Sequence, residues 1–592
     1  MQEKLKPRSD IISSMFFSAC IAMIFTSAAG VVAHTVDGII ASRFLGTNTY
    51  SAISLLGPFS STLIMLAGFI TTGCQVVTSR LIGTGKKEES DSVFSISVVA
   101  LIGLSVLVLL ASMAFPRQLF SICGISMTKH AEIYPEMLGY LHGYMFGIPA
   151  LMTIQLLGPM VVMDGGQNLF SLSAIVLCVS NILGDLLNVL VIKGGSFGMG
   201  MVTSISYLLQ LLLVSSHFFT GNGTLRFSLR TVQVHHLAEM ARAGSPSFVR
   251  KLATVLRDLL INRMNLAIAL TTAAIAARGV QNDLNSLLFC ISTGVGKALL
   301  TMTGIYYGAN DRKGLKRLFI TSLKTGIKLA GIAGLISYIF ARVVAHFYMD
   351  DPEAIDLATF AIRCMALGLV LDTILIGFQN YLQGIGNHGI VNFMGFGERF
   401  FIPVLVAFVM GRFFGTKGIM ASIAVSKLLL AIMLFILICI HCRRFPRDTE
   451  DFMFLPKDFG GNEEDSRDVH LYSMEDVMQE RDEAILFCRK HGLDEKESQL
   501  MGLFVEEMAG YIIQNGKPRK PGAICVDYRL FVNNGRICLS LRDYCHKFDP
   551  MHYIKRKWKE APQGLQIVAG LANEIKYFNT FNSNCVLIVQ GR

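Results

Sequence analysis

Residues 169–192 read LFSLSAIVLCVSNILGDLLNVLVI, with a single charged side chain, Asp185, and no Lys or Arg. Roughly 20 mainly apolar residues suffice for a helix to cross a bilayer, so this stretch reads as a membrane span. A carboxylate at membrane depth costs about 2.5–3.5 kcal/mol on insertion scales, which makes Asp185 a functional candidate. Asn181 lies one helical turn before it and shares its face.

The same ruler applied outward finds further spans near 11–34, 50–78, 92–114, 136–162, 197–220, 248–275, 284–307, 326–348, 355–380, 390–412 and 418–441. With 169–192 these make twelve, and the expected fold is an all-α polytopic membrane protein followed by a soluble α+β tail. The first span is too long for the apolar core of a cleavable signal and reads as a retained anchor. Lys4, Lys6 and Arg8 precede it, and Arg80, Lys86 and Lys87 follow the second span. Arg312, Lys313, Lys316 and Arg317 follow the eighth, and Arg443, Arg444 and Arg447 the twelfth. Every even-numbered exit is basic, which predicts cytoplasmic termini and a cell-membrane location.

Composition agrees. Apolar residues make up 52% of the 592 and charged residues only 16%, against roughly 25% in a soluble domain. Residues 1–444 carry 33 Lys/Arg against 20 Asp/Glu, whereas 445–592 carry 20 against 23. The basic surplus is the loop bias of a membrane protein; no basic stripe is interleaved with aromatics, so nucleic acid is not expected as a partner. The thirteen cysteines are scattered singly and suit a reducing compartment. Cys439 and Cys442 lack a second ligand pair and read as structural.

The chain also repeats itself. Gly73 in TTGCQVVTSRLIGTGKKEE faces Gly294 in STGVGKALLTMTGIYYGANDRK, 221 residues on. Gly165 in MDGGQN faces Gly384 in LQGIGN at an offset of 219, and GMVTSI at 200–205 faces GIMASI at 418–423. Two six-helix halves inserted the same way up, 1–225 and 226–442, explain this, as in repeat-built secondary transporters.

In the first half Asp37, Asn181, Asp185 and Thr203 form a candidate set of hard oxygen ligands. They suit Na⁺ at Asp37, Asn181 and Asp185, or a proton, because two neighbouring carboxylates in low dielectric cannot both stay ionised. The offset places Arg399, Pro403 and Ala421 opposite Asn181, Asp185 and Thr203, so the cluster belongs to one half only. In the second half Arg257, Asp258, Asn262 and Arg263 share one span and read mainly as mutually neutralising, with Asp258 a subsidiary site candidate. Asp372, in LGLVLDTILIGF with no cation nearby in sequence, is a candidate second acid for a cation or substrate.

The strings TVDGIIASRFLGTNTYSAISLLGP, NILGDLLNVLVIKGGSFGMGMVTSIS, GIYYGANDRKGLKR and NYLQGIGNHG resemble those of the multidrug and toxic compound extrusion (MATE) antiporters over about 10–442. The resemblance implies export of lipophilic, cationic small molecules coupled to H⁺ or Na⁺. It assigns Asp37, Asn181, Asp185 and Thr203 to the first-lobe cation site, Tyr140 to an aromatic position beside it, and Asp372 to a second-lobe acid of one branch. The glutamate that branch carries eight residues past its Gly-x-Pro is Thr254 here, which favours the first-lobe site.

Residues 443–472 read as a charged linker. From 473, SMEDVMQERDEAILFCRKHG predicts a helix begun by a Ser-x-x-Asp cap, and DEKESQLMGLFVEEMAGYIIQNG a second helix. AICVDYRLFVNNGRICLSLRDY predicts a hairpin at Asn-Asn-Gly, LQIVAGLANEIKYFNT a third helix and SNCVLIVQ a last strand. This order resembles the GHKL-type ATP-binding sandwich of anti-sigma-factor kinases, which would assign Glu507 as base, Asp543 to adenine and Gly564 to the glycine-rich box. Tyr511, Cys545 and Gln566 replace the Mg²⁺-binding Asn, the turn Gly and a phosphate-approach Gly. Loops that bring backbone N–H groups to phosphate need those glycines. The resemblance therefore argues against ATP binding and kinase activity and for a module at 473–592 that docks a regulatory protein. The other readings are a membrane-tethered signalling protein whose transporter part senses ligand, and a lipid-precursor flippase.

Overall fold

The described residues of the computed structural model are 11–122, 132–219, 223–228, 234–267, 272–456, 459–461, 463–519, 524–533 and 535–591. The apolar stretches fold into helices. The amino-terminal lobe comprises α1 (Ile11–Ile40), α2 (Thr47–Leu55), α3 (Gly57–Gly83), α4 (Lys87–Ala114), α5 (Pro116–Ile122), α6 (Tyr134–Tyr144), α7 (Ile148–Met163), α8 (Gln167–Leu187) and α9 (Gly195–Phe219). The second lobe comprises α10 (Leu237–Ala267), α11 (Thr272–Gly308), α12 (Arg312–Ile339), α13 (Ala341–Tyr348), α14 (Pro352–Gly384), α15 (His388–Phe396) and α16 (Ile402–Cys442).

Among the described residues ten helical stretches are long and apolar enough to span a membrane, against twelve expected. The counts part at two places. The helix at the expected seventh span, α10, holds Glu239, Arg242, Arg250, Lys251 and Arg257 and is too polar to qualify by composition. The expected last two spans run together as the 55-residue stretch His388–Cys442. Gly415 interrupts that stretch with φ 57° and ψ −140°, and a Cβ on Gly418 would stand 2.1 Å from the Met410 carbonyl. Residues eight apart in an unbroken helix lie about 12 Å apart along its axis, so the chain reverses here.

The repeat is visible in how the lobes cross. A Cβ on Gly73 of α3 would strike the Met240 carbonyl of α10 at 2.4 Å, and one on Gly294 of α11 would strike the Ile24 amide of α1 at 2.8 Å. The second long helix of each lobe thus packs on the first helix of the other, backbone to backbone, where only glycine fits. Gly165 and Gly386 both take left-handed backbone, at φ 86° and 90°, just before α8 and α15. The structural counterpart of Gly165 is therefore Gly386, at the same 221 offset as the first pair, and not Gly384.

The tail is a two-layer sandwich. Strands β1 (Ser466–Leu471), β2 (Val526–Asn533), β3 (Arg536–Asp543), β4 (Glu574–Thr580) and β5 (Ser583–Gln590) form an antiparallel sheet in the order β1-β2-β3-β5-β4. Helices α17 (Met474–Lys490), α18 (Glu495–Asn515), α19 (Pro550–Arg556) and α20 (Gln563–Leu571) complete it. Ser473 and Asp476 form the expected reciprocal cap at the start of α17. Two expectations are corrected. The linker is shorter than 443–472, because Ser466–Leu471 pairs with β2. The third helix stops at Leu571, and residues 574–580 form β4, with Ile575 and Tyr577 against the core under the helices and Phe578 in the cluster on the membrane side.

Period-2 alternation gives the sheet two faces. Val526, Tyr528, Leu530, Leu539, Leu541, Val586 and Ile588 pack under the helices. Arg529, Arg542, Phe578 and Cys585 point the other way, onto the membrane part. Arg529 donates to the Ala309 and Asn310 carbonyls at 3.1 and 2.8 Å, and Arg542 donates to Asp311 at 3.3 Å while lying over the Tyr306 ring. The β4–β5 turn reaches the other lobe. The Phe581 amide donates to the Met163 carbonyl at 2.8 Å, Thr224 and Asn579 exchange hydrogen bonds, and Asn582 donates to Gln167 at 2.5 Å. Phe581 is 1% exposed in the same apolar cluster as Met15, Met302 and Tyr306. It holds φ 52°, a conformation a bulky side chain rarely adopts, and its burial against both lobes offsets that strain.

Candidate functional site

Asp37 lies near the far end of α1 from the tail, and Asn181 and Asp185 lie near the far end of α8; they are 4%, 2% and 0% exposed. The two acid-bearing helices pack on each other, and both continue as π-helical turns directly beyond the acids, at Ala41–Leu45 and Asn188–Ile192. Such turns are rare and gather at functional sites. The packing brings the Asp37 carboxylate within reach of the Asp185 carboxyl and the Asn181 amide. Yet Asp37 Oδ1, both Asp185 oxygens and both polar atoms of the Asn181 side chain are sealed from solvent without completing a hydrogen bond of ordinary geometry. Buried polar atoms are almost always paired. Here five such unpaired atoms converge from two helices.

Thr203 and Tyr140 form the next layer. Thr203, on α9, donates to the Met199 carbonyl at 3.1 Å, and the Tyr140 hydroxyl lies beside it. Tyr144 stacks on Tyr140 at 5.7 Å, and Tyr207 lies within electrostatic range of both Tyr144 and Asp37. Sequence reasoning missed both tyrosines, although each follows a named residue by one helical turn. His34, exposed a turn before Asp37 on α1, exerts an electrostatic influence on both Asp37 and Asp283 of α11.

The second lobe is different. Asp372 is not alone: Lys427 of α16 pairs with it and with Glu398 at 2.8 Å. Glu398 also takes Arg399 at 3.3 Å and the Gln379 amide. The cation that sequence could not show comes from a helix 55 residues further on. Asp372 is already neutralised, which removes the reason for reading it as an open cation site. The side chain of Asp258 lies outside the described residues, and Thr254 donates to its own helix at Arg250.

In the tail, a Cβ on Gly564 would fall 1.5 Å from Glu507 Oε2, so a carboxylate lies over the start of α20, where a phosphate would approach. Burial pushes the Glu507 carboxyl up, helped by Glu506. Asp543 accepts from the Cys545 amide at 2.8 Å and the Asn584 side chain at 2.9 Å, and Tyr511 stacks on Phe548 at 5.2 Å.

Two repeated helical lobes crossing at paired glycines, with unsatisfied carboxylates buried in one of them, define a membrane transporter. The chain belongs to the MatE family, whose model matches residues 22–190 and 246–398. It is similar to the multidrug export protein MepA of Staphylococcus aureus strain RF122, 24% identical over 443 residues, which covers 72% of this chain and 94% of that protein. The MepA protein of Staphylococcus saprophyticus is 21% identical over 431 residues, with the same coverage. Among solved structures, an outward-facing MATE family multidrug resistance transporter superposes with a TM-score of 0.67 at 19% identity, covering 73% of this chain and 97% of that one. The Vibrio cholerae MATE transporter VcmN in its bent form gives 0.65 at 15% identity, covering 71% and 95%.

Proposed function

We propose that the chain is a cation-coupled antiporter exporting lipophilic, cationic small molecules, with H⁺ or Na⁺ as coupling ion and the tail as its regulator. The observation that carries this is the cluster of unpaired buried polar atoms at Asp37, Asn181 and Asp185. The substrate class follows the multidrug export proteins it is similar to.

The reading takes the membrane part as twelve crossings. The polar α10 crosses shielded by α3 and α15, and His388–Cys442 crosses twice around Gly415. Its basic turns and tail are cytoplasmic. A cation entering from outside meets Asp37 and Asp185 near the far ends of α1 and α8. Either a proton on one carboxyl or Na⁺ between them completes the oxygen set and draws the two helices together. Export is driven because cation and substrate favour different arrangements of the lobes.

The docked tail touches the starts of α1 and α8 in one lobe and the α11–α12 turn in the other. Rocking that parts the lobes on the tail side must break one of these contacts, so docking favours the state closed on that side and slows the cycle. The GHKL-like sandwich serves as a docking module here, since Glu507 and Tyr511 fill the approach a nucleotide would use.

The test is efflux of ethidium from proteoliposomes with pH and sodium gradients imposed separately. One gradient should drive export, and Asp185→Asn should abolish that drive; gradient-driven export that survives the substitution removes the site assignment.

A further inference from the structure

A cavity of about 420 Å³ lies between the tail and the membrane part, within the usual range for small-molecule sites, roughly 300–1,000 Å³. Its roof is the face of the sheet turned away from the tail's own helices. Its floor is made by the last residues of α3 and α11, one from each lobe. These helix ends touch there: a Cβ on Gly83 would meet the Ile305 carbonyl at 2.2 Å, and one on Gly308 would meet the Arg80 carbonyl at 2.2 Å.

Four cations line this cavity, Arg529, Arg536, Arg542 and Lys576, against one carboxylate, Glu574. Arg529 and Arg542 are spent on the Ala309 and Asn310 carbonyls and on Asp311. They neutralise the carbonyl end of α11 and leave the net positive potential of the rim to Arg536, with Lys576 shared between the cavity and Glu574. Arg536 is exposed, and Lys576 is half-buried with Glu574 at 2.8 Å. Between these charges Phe578, Leu587 and Val589 make an apolar wall, beside Phe531, whose ring Arg529 covers at 4.2 Å. Paired cations around an aromatic wall suit a ligand with an anionic end and a flat ring.

We infer that this cavity binds a soluble, nucleotide-sized organic phosphate, its phosphate on Arg536 and Lys576 and its ring against Phe578 and Leu587, and that the bound molecule strengthens tail docking. The site is distinct from the GHKL-type position, since Glu507, Asp543 and Gly564 lie on the opposite face of the sheet. The inference rests on the regulatory reading of the docked tail. A ligand wedged between sheet and lobe seam adds contacts present only in the docked state, and so shifts the equilibrium towards it.

The experiment uses the purified full-length chain in detergent and isothermal titration with AMP. Adenosine, inorganic phosphate and dihexanoyl phosphatidylglycerol serve as separate arms. AMP should bind saturably, with adenosine and phosphate each at least about tenfold weaker. Arg536→Glu with Lys576→Glu should weaken AMP at least about tenfold by reversing the rim charge, whereas Glu507→Gln should leave binding unchanged. The milder Arg536→Ala should reduce affinity in the same direction, which guards against misfolding of the double variant. No saturable binding at millimolar AMP overturns the inference. So does binding indifferent to the rim variants, binding lost in Glu507→Gln, or phosphatidylglycerol binding as tightly as AMP. Docking is read separately, by hydrogen exchange at the β4–β5 turn without ligand, so failure of the pocket leaves the regulatory reading standing and the reverse also holds.

Discussion

The side-chain amide of Asn582 donates to Gln167 at 2.5 Å, and Gln167 is the first residue of the helix that carries Asp185. Eighteen residues separate Gln167 from Asp185, about 27 Å along a helix axis. Phe581 lines a small cavity together with Met15 near the start of α1, whose far end holds Asp37. The tail therefore grips, at one end, both helices whose other ends hold the acid cluster. A helix is stiff along its axis, so a tilt at either end is felt at the other.

Asp185→Asn is expected to separate stability from activity. The amide keeps the shape and removes a buried charge that costs about 2.5–3.5 kcal/mol. Gradient-driven export should fall at least about tenfold as the exchangeable proton or ion ligand is lost, while the thermal midpoint of the detergent-solubilised chain holds or rises. A lowered midpoint would mean that Asp185 fastens helices together.

Arg542→Glu should release the tail by setting a carboxylate against Asp311. Amide exchange at Asn579 and Phe581 is expected to accelerate and export to quicken. Adding Asp311→Arg should restore part of the protection. Restoration stays partial because Asp311 also accepts from the Gly314 amide at 2.8 Å to cap α12, a role whose loss costs about 1 kcal/mol. Unchanged exchange in the single variant would count against the docking contact.

Docking should depend on pH with a definite sign. Burial would push the Asp311 carboxyl up, but Arg529, Arg542 and the Gly314 amide together hold it below its ordinary value of 3.8. A group held low in the docked state lends its stabilisation above the undocked value and loses it as pH falls through the docked one. Protection of the β4–β5 turn, corrected for intrinsic exchange, should therefore be level from neutral pH down to about 4 and fall below it. A loss centred near pH 6 would point to another group.

Lys427 offers a test of the second lobe. Removing one partner of a buried ion pair leaves uncompensated charge and costs about 3–5 kcal/mol, so Lys427→Met, which strands Asp372 and leaves Glu398 to Arg399 and Gln379, should lower the thermal midpoint markedly. Asp372→Asn should leave the choice of coupling ion unchanged in the gradient assay. A change in that choice would restore Asp372 as a cation site.

Much of this was legible in order along the chain. Span lengths, the basic turns, the repeat and the candidate acids follow from hydrophobic run length and from the cost of charge in lipid, which act residue by residue. The Ser473 cap and the Asn-Asn-Gly hairpin were readable because their hydrogen bonds close within a few residues. Asp372 was misread for the opposite reason: Lys427 neutralises it across a helix interface. The polar α10 and the merged His388–Cys442 stretch blurred the span count because helix shielding and a single glycine turn leave little compositional trace.

Sequence alone thus determined that this is a two-lobed membrane chain with acids buried in its first half and an α+β tail. Only the tertiary structure decided that five polar atoms of that site go unpaired, that Asp372 is spoken for, and that the tail bridges both lobes. Pairing and docking depend on atoms that come within about 3 Å from positions hundreds of residues apart, and local sequence does not encode that proximity.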